Sequence, residues 1–154
     1  MKTAVALYDD ALAANAVAQD LLDAGIEPTA LSLVLSDAAA RSAPPARLSQ
    51  ELKGPLGSGP IDMDSLYNDL NRVGVPPDEA EAYMEGVRRG GNLIVVRPED
   101  EPAERAGEIL KRGAVDVADR ERRWREQGWA GYDRTAAPYG VEEAERERTT
   151  YTTP

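Results

Sequence analysis

The sequence predicts an α+β domain: a ferredoxin-like two-layer sandwich with duplicated β-α-β halves, a two-helix insert and a C-terminal extension. Two observations carry that reading. An apolar run, an acidic pair, an amphipathic stretch and a glycine occur in that order twice, over Thr3–Gly25 and again over Leu93–Gly113. Two further stretches of helical period lie between them, bounded by proline and glycine.

In the first half, residues 3–8 (TAVALY) read as a strand, and Asp9 or Asp10 is placed to cap the helix that follows. Ala13, Val17, Leu21 and Ala24 recur every three or four residues and share one buried stripe, which Gly25 ends. Residues 31–35 (LSLVL) form the second strand. In the second half, 93–97 (LIVVR) is a strand, and Asp100 or Glu101 opens a helix whose apolar face is Ala103, Ala106, Ile109 and Leu110. Gly113 stops it, and 114–118 (AVDVA) is expected to close the sheet as a last strand. Helices on one sheet face would leave the other face free for an added element or a partner.

The insert, 62–90, begins with a helix carrying Leu66, Leu70 and Val73 on one side. Its second helix starts at Pro76-Pro77, where a missing N–H costs nothing. Asp78 and Glu79 suit its positive end and Arg88 and Arg89 its negative end, while Ala80, Tyr83, Met84 and Val87 face inward. Residues 37–60, rich in proline, glycine and small residues, read as a loop over the core or as a docking lid. After 118 a charged helix, DRERRWREQGW, runs to about Gly128. The domain is therefore expected to span 1–127, and 128–154 to be an acidic tail, partly disordered or docked on a partner.

Composition narrows the chemistry. The 154 residues hold no cysteine and no histidine, which excludes thiolate and histidine catalysis and most transition-metal sites. A net charge of −10 disfavours nucleic acid and anionic membrane as partners. The N-terminal apolar run is too short for a signal peptide and no stretch approaches a membrane span, so the cytoplasm is the expected location. Arginine far outnumbers lysine and alanine is abundant, the bias of a GC-rich bacterial genome.

Candidate sites are few. Tyr8, Asp9 and Asp10 cluster at a strand-to-helix junction and could hold a cation or act as an acid–base pair, but capping explains the aspartates, as it does Glu99 and Asp100. No Gly-Lys-Ser/Thr follows the glycines at 54, 57 and 59, so there is no Walker loop. No serine has a histidine to activate it. No catalytic, metal or cofactor residue is assigned. Arg88, Arg89 and Asn92, beside Gly90-Gly91, could receive an anion, as could the 37–60 loop. Trp124, Trp129 and Tyr132 stand where a segment would dock on a partner or on its own domain.

One string is more specific than the rest: Gly74, Val75, Pro76, Ala80, Tyr83, Gly86, Arg88, Gly90 and Gly91, in the spacing GVP-x-x-x-A-x-x-Y-x-x-G-x-R-x-G-G. With VALYDD, AVAQDLLDAG, LSLVLSD and AGEILKRGAVDV, it resembles the bacterial heat-induced general stress protein family of the YflT type, over about residues 3–118. The resemblance implies a small cytoplasmic accessory domain without catalytic residues to transfer. The expected function is that of a noncatalytic, stress-associated structural or interaction protein. It would self-associate through the free sheet face or the Trp124–Trp129–Tyr132 junction. The alternative is a small-ligand or anion sensor.

Overall fold

The structure is a computed structural model and describes residues 3–9, 11–36, 58–60, 63–97, 103–133 and 135–152. Asp10, residues 37–57 and Glu99–Glu101, to which capping and lid roles were assigned above, lie outside them.

The fold is mixed α+β. Strand β1 (Ala4–Tyr8) leads through α1 (Ala11–Asp23) to β2 (Leu31–Leu35). A short β3 (Ser58–Pro60) precedes α2 (Met63–Arg72) and α3 (Pro77–Arg88), and β4 (Asn92–Val96) follows. The chain ends with α4 (Ala103–Leu110), α5 (Val117–Glu126) and α6 (Val141–Thr152). The sheet order is β1-β4-β2-β3. β4 runs antiparallel to both neighbours, pairing Leu7 with Leu93 and Leu33 with Ile94, while β3 lies parallel to β2. β1 and β2 are thus parallel with β4 between them, a split β-α-β unit. Part of the segment read as an irregular loop, 58–60, is therefore an edge strand.

The second half does not end in a strand. Only one backbone hydrogen bond of this segment, Val115 N–H to the Leu7 carbonyl at 2.8 Å, reaches the edge of β1. The chain then turns into α5, because the Asp116 side chain accepts the Asp119 N–H at 3.2 Å and caps the helix. Alternation of valines over 114–118 gave a strand pattern, and the cap overrides it.

Both sheet faces are covered, so the molecule has a helical layer on each side rather than two layers in all. On one face Ala6, Tyr8, Leu31, Leu33, Ile94 and Val96 pack against Val17 and Leu21 of α1 and Ile109 of α4. On the other, Leu7, Val34, Leu93 and Val95 pack against Leu66 and Leu70 of α2 and Met84 and Val87 of α3. Each buried valine, leucine, isoleucine or methionine among them contributes about 1.5–3 kcal/mol by leaving water. The free sheet face proposed for self-association is therefore occupied by the insert.

The glycine-rich string of the insert is a packing device. Tyr83 donates its hydroxyl to the Val5 carbonyl at 3.4 Å. A Cβ at Gly86 would sit 2.6 Å from Leu7 Cδ2, and one at Gly91 2.8 Å from Leu7 Cδ1. At Gly91 the Gly86 carbonyl oxygen is also 2.9 Å away, so a side chain there would meet fixed backbone, and glycine lets the turn lie this close to β1.

Candidate functional site

The densest polar arrangement lies where α3 ends. Glu85, Arg88 and Arg89 sit at spacings of three and four on one helix, so their side chains share a face. Glu85 is 1% exposed. An ionised carboxylate there must be paired and hydrogen-bonded to offset its lost hydration. Arg88 donates Nε at 3.1 Å and Nη2 at 2.6 Å, and Arg89 donates Nε at 2.6 Å. Burial pulls the Arg88 and Arg89 pKa values down, but hydrogen bonds and charge from Glu85 outweigh it, joined by Glu147 at Arg89, and both end above the ordinary value.

Both arginines also reach the tail through Nη1. Arg89 Nη1 reaches Glu147 Oε1 at 3.1 Å and Oε2 at 3.3 Å, and Trp124 Nε1 donates to the same Oε1 at 3.3 Å. Two glutamates and two arginines leave the cluster neutral. Arg89 lies over Trp124, 4.9 Å from its ring centre, and Arg88 lies over Tyr139 at 5.0 Å. Cation–π contact of this kind strengthens when the cation is partly dehydrated.

Backbone contacts complete the junction. The end of α3 is a Schellman turn: Gly91 N–H bonds the Gly86 carbonyl at 2.8 Å and Gly90 N–H the Val87 carbonyl at 3.0 Å, with Gly90 at φ +108°. The Arg88 carbonyl, left over by that turn, accepts the Tyr139 N–H at 2.7 Å. Arg88 Nη1 returns a bond to the Ala137 carbonyl at 3.2 Å. Helix α6 seats Ala144, 2% exposed, on Gly90. Over its described residues the tail therefore docks on its own domain, one of the two outcomes that the aromatic junction allowed.

The sequence candidates fall out as follows. Arg88 and Arg89 come together, but with Glu85 and Glu147 rather than with a free anion. Asn92 is fully buried with both ends of its amide engaged: its Oδ1 accepts the Ser36 N–H at 3.2 Å and its Nδ2 donates to the Tyr8 carbonyl at 3.5 Å. It ties the ends of β1, β4 and β2. Asp9 is bridged by Arg120 of α5 at 2.8 and 2.9 Å. Among the described residues no three carboxylates gather as a metal site would require. Tyr8 is buried on the opposite face, donates its hydroxyl to the Leu110 carbonyl, and has its pKa pushed well up by burial. Trp124 is enclosed beneath the tail and meets Trp129 edge-on at 5.5 Å, while Tyr132 packs half-buried on the core.

A recess of about 10 Å³ remains between Asp9, Arg89, Arg120, Trp124 and Glu147, space for about one water. It is too small for an organic substrate. What this arrangement does chemically is hold a carboxylate. Glu85, Tyr139, Ala144 and Glu147 were not singled out from sequence; the only signal was the spacing of Glu85 to Arg88 and Arg89.

No family model matches this chain, and neither does any curated protein or solved structure. Among the described residues no helix is long and apolar enough to cross a membrane.

Proposed function

We propose that this chain is a noncatalytic, stress-associated structural or interaction protein of the bacterial cytoplasm that self-associates. The observation that carries the reading is the junction of α3, α5 and the tail. There the arginines and carboxylates pair with one another and with aromatic rings to hold a helix, in the manner of an interface. With the sheet covered on both faces, the self-association surface is the rim of that junction, around the half-buried Trp129 and Tyr132. The stress-family part of the reading is supported by the Gly74–Gly91 string and its flanks alone. The strand order β1-β4-β2, with Val115 at the outer edge of β1, supports a ferredoxin-like arrangement whose last strand is reduced to one bond.

Light scattering coupled to size-exclusion chromatography tests it. The full-length protein is expected to elute as an oligomer at high micromolar concentration. A strict monomer would remove self-association from the reading.

The alternative is a small-ligand or anion sensor using Arg88, Arg89 and Asn92 or the 37–60 loop; the full burial of Asn92 weighs against its part in it. What favours it is that a carboxylate, Glu147, already sits on Arg89.

A further inference from the structure

We propose that Arg89 and Trp124 form a receptor for a glutamate carried on an acidic helix of another polypeptide, with α6 as its tethered competitor. The proposal rests on the reading that this protein works by binding other chains.

The donor set converges on one carboxylate: Arg89 Nη1 and Trp124 Nε1 both reach Glu147 Oε1, at 3.1 and 3.3 Å. The domain holds Arg89 on two sides, and the Tyr139 ring of the tail lies 6.0 Å from its guanidinium. Glu85 fixes Arg89 from behind at 2.6 Å, and the Trp124 ring lies 4.9 Å beneath the guanidinium. Ala144 is enclosed against Gly90, next to Arg89: it is 2% exposed and its Cβ lies 2.4 Å from where a Cβ at Gly90 would begin, so a larger side chain in its place has little room. Ala144 and Glu147 are three apart on one helix face. The recognised unit is therefore a helix with a small residue followed, three positions on, by glutamate. A simple anion offers no counterpart to the Gly90 contact.

Helix α6 itself buries little, and the rest of the tail's hold lies before it, at Ala137 and Tyr139. Among the α6 side chains described, Ala144 alone is buried, Glu147 and Arg148 are half-buried, and the rest are exposed. Tethering compensates, because a short linker keeps the segment at an effective concentration of about millimolar. An untethered helix must outcompete that, so its apparent affinity is reduced by the fraction of molecules that are open. A partner with apolar side chains flanking the glutamate has additional surface to bury.

The test uses the full-length chain and, as probe, a fluorescent peptide of residues 137–152. Ala144→Leu blocks the chain's own tail at Gly90 and leaves Arg89, Trp124 and Glu85 in place. That variant is expected to bind the peptide at least about ten-fold more tightly than the wild-type protein does. A peptide bearing Glu147→Gln is expected to bind it at least about ten-fold more weakly, since a charge-assisted contact is lost. Glu147→Gln in the full-length chain, which opens the site without steric change, is expected to bind the wild-type peptide more tightly than wild type, whether or not Ala144→Leu folds. Equal binding by wild-type and opened proteins, equal binding of the two peptides, or displacement by inorganic phosphate at matched ionic strength would overturn the proposal. A monomeric protein that binds the peptide would contradict self-association and leave the receptor standing, so the two readings fail separately.

Discussion

Gly90 and Ala144 touch so closely that a methyl group at position 90 would fall 2.4 Å from the Ala144 Cβ. This contact joins the end of α3 to the tail helix. Gly90→Ala is expected to cost about 1–2 kcal/mol for its positive φ, plus the docking of α6. Gly25 supplies the control: at φ +99° with no atom within 4 Å of a Cβ, its alanine variant carries the backbone strain alone. Urea denaturation should show Gly90→Ala as the more destabilised of the two. Proteolytic cleavage between residues 128 and 140 should accelerate in Gly90→Ala and not in Gly25→Ala.

Glu85 and Glu147 share one guanidinium, at Nε and Nη1 of Arg89, and their losses should differ in size. Glu85→Ala leaves two nearly buried arginines short of a counter-charge and is expected to cost about 3 kcal/mol. Glu147→Ala should cost about 1 kcal/mol, because Arg89 keeps Glu85 and the site is nearer water. The double variant should depart from additivity by about 0.5 kcal/mol or more, since removing either acid raises the reliance of Arg89 on the other. Chemical denaturation of the four proteins of the cycle measures this directly.

Stability should fall on the alkaline side. Burial raises the pKa of Tyr8 far above its ordinary 10.0, and raises that of Tyr83 through burial and the nearby Glu79 charge. Below the unfolded value both states hold the proton and the phenols give no pH dependence. Above it the unfolded chain ionises first and binds fewer protons than the native one, so unfolding becomes easier as pH rises. The urea midpoint should be flat up to about pH 9.5 with respect to these groups and decline beyond about pH 10. Tyr8→Phe should be less stable at neutral pH by about 1 kcal/mol for its lost bond to Leu110, and should show a shallower alkaline decline.

Much of the fold was legible in the sequence, and the misses have physical causes. β2 and the insert helices were readable because their signals were local: an apolar run, a Pro-Pro start, a glycine stop. The covering of both sheet faces was also written there, although it was not drawn out. LSLVL and LIVVR are nearly continuous apolar runs, the pattern of strands buried on two sides, whereas a half-exposed strand alternates. The 114–118 strand failed because Asp116 acts as a cap, a local choice that alternating valines disguised. Docking near Trp124 was among the readings of the sequence, but the seat of α6 was not legible, since that helix has one buried anchor, Ala144, and it rests on a glycine remote in sequence. Arg88 and Arg89 were picked out as a pair able to hold an anion, and they do hold carboxylates, but both carboxylates belong to the chain itself.

The central claim is that the tail is clamped on its own domain by Arg88, Arg89 and Trp124, and amide hydrogen exchange of the full-length protein tests it most directly. The Tyr139 amide, bonded to the Arg88 carbonyl at 2.7 Å, and the amides of α6 beyond its first turn should be protected in the wild type and lose protection in Ala144→Leu. Exchange of those amides at the rate of an unstructured peptide in the wild-type protein would contradict the account.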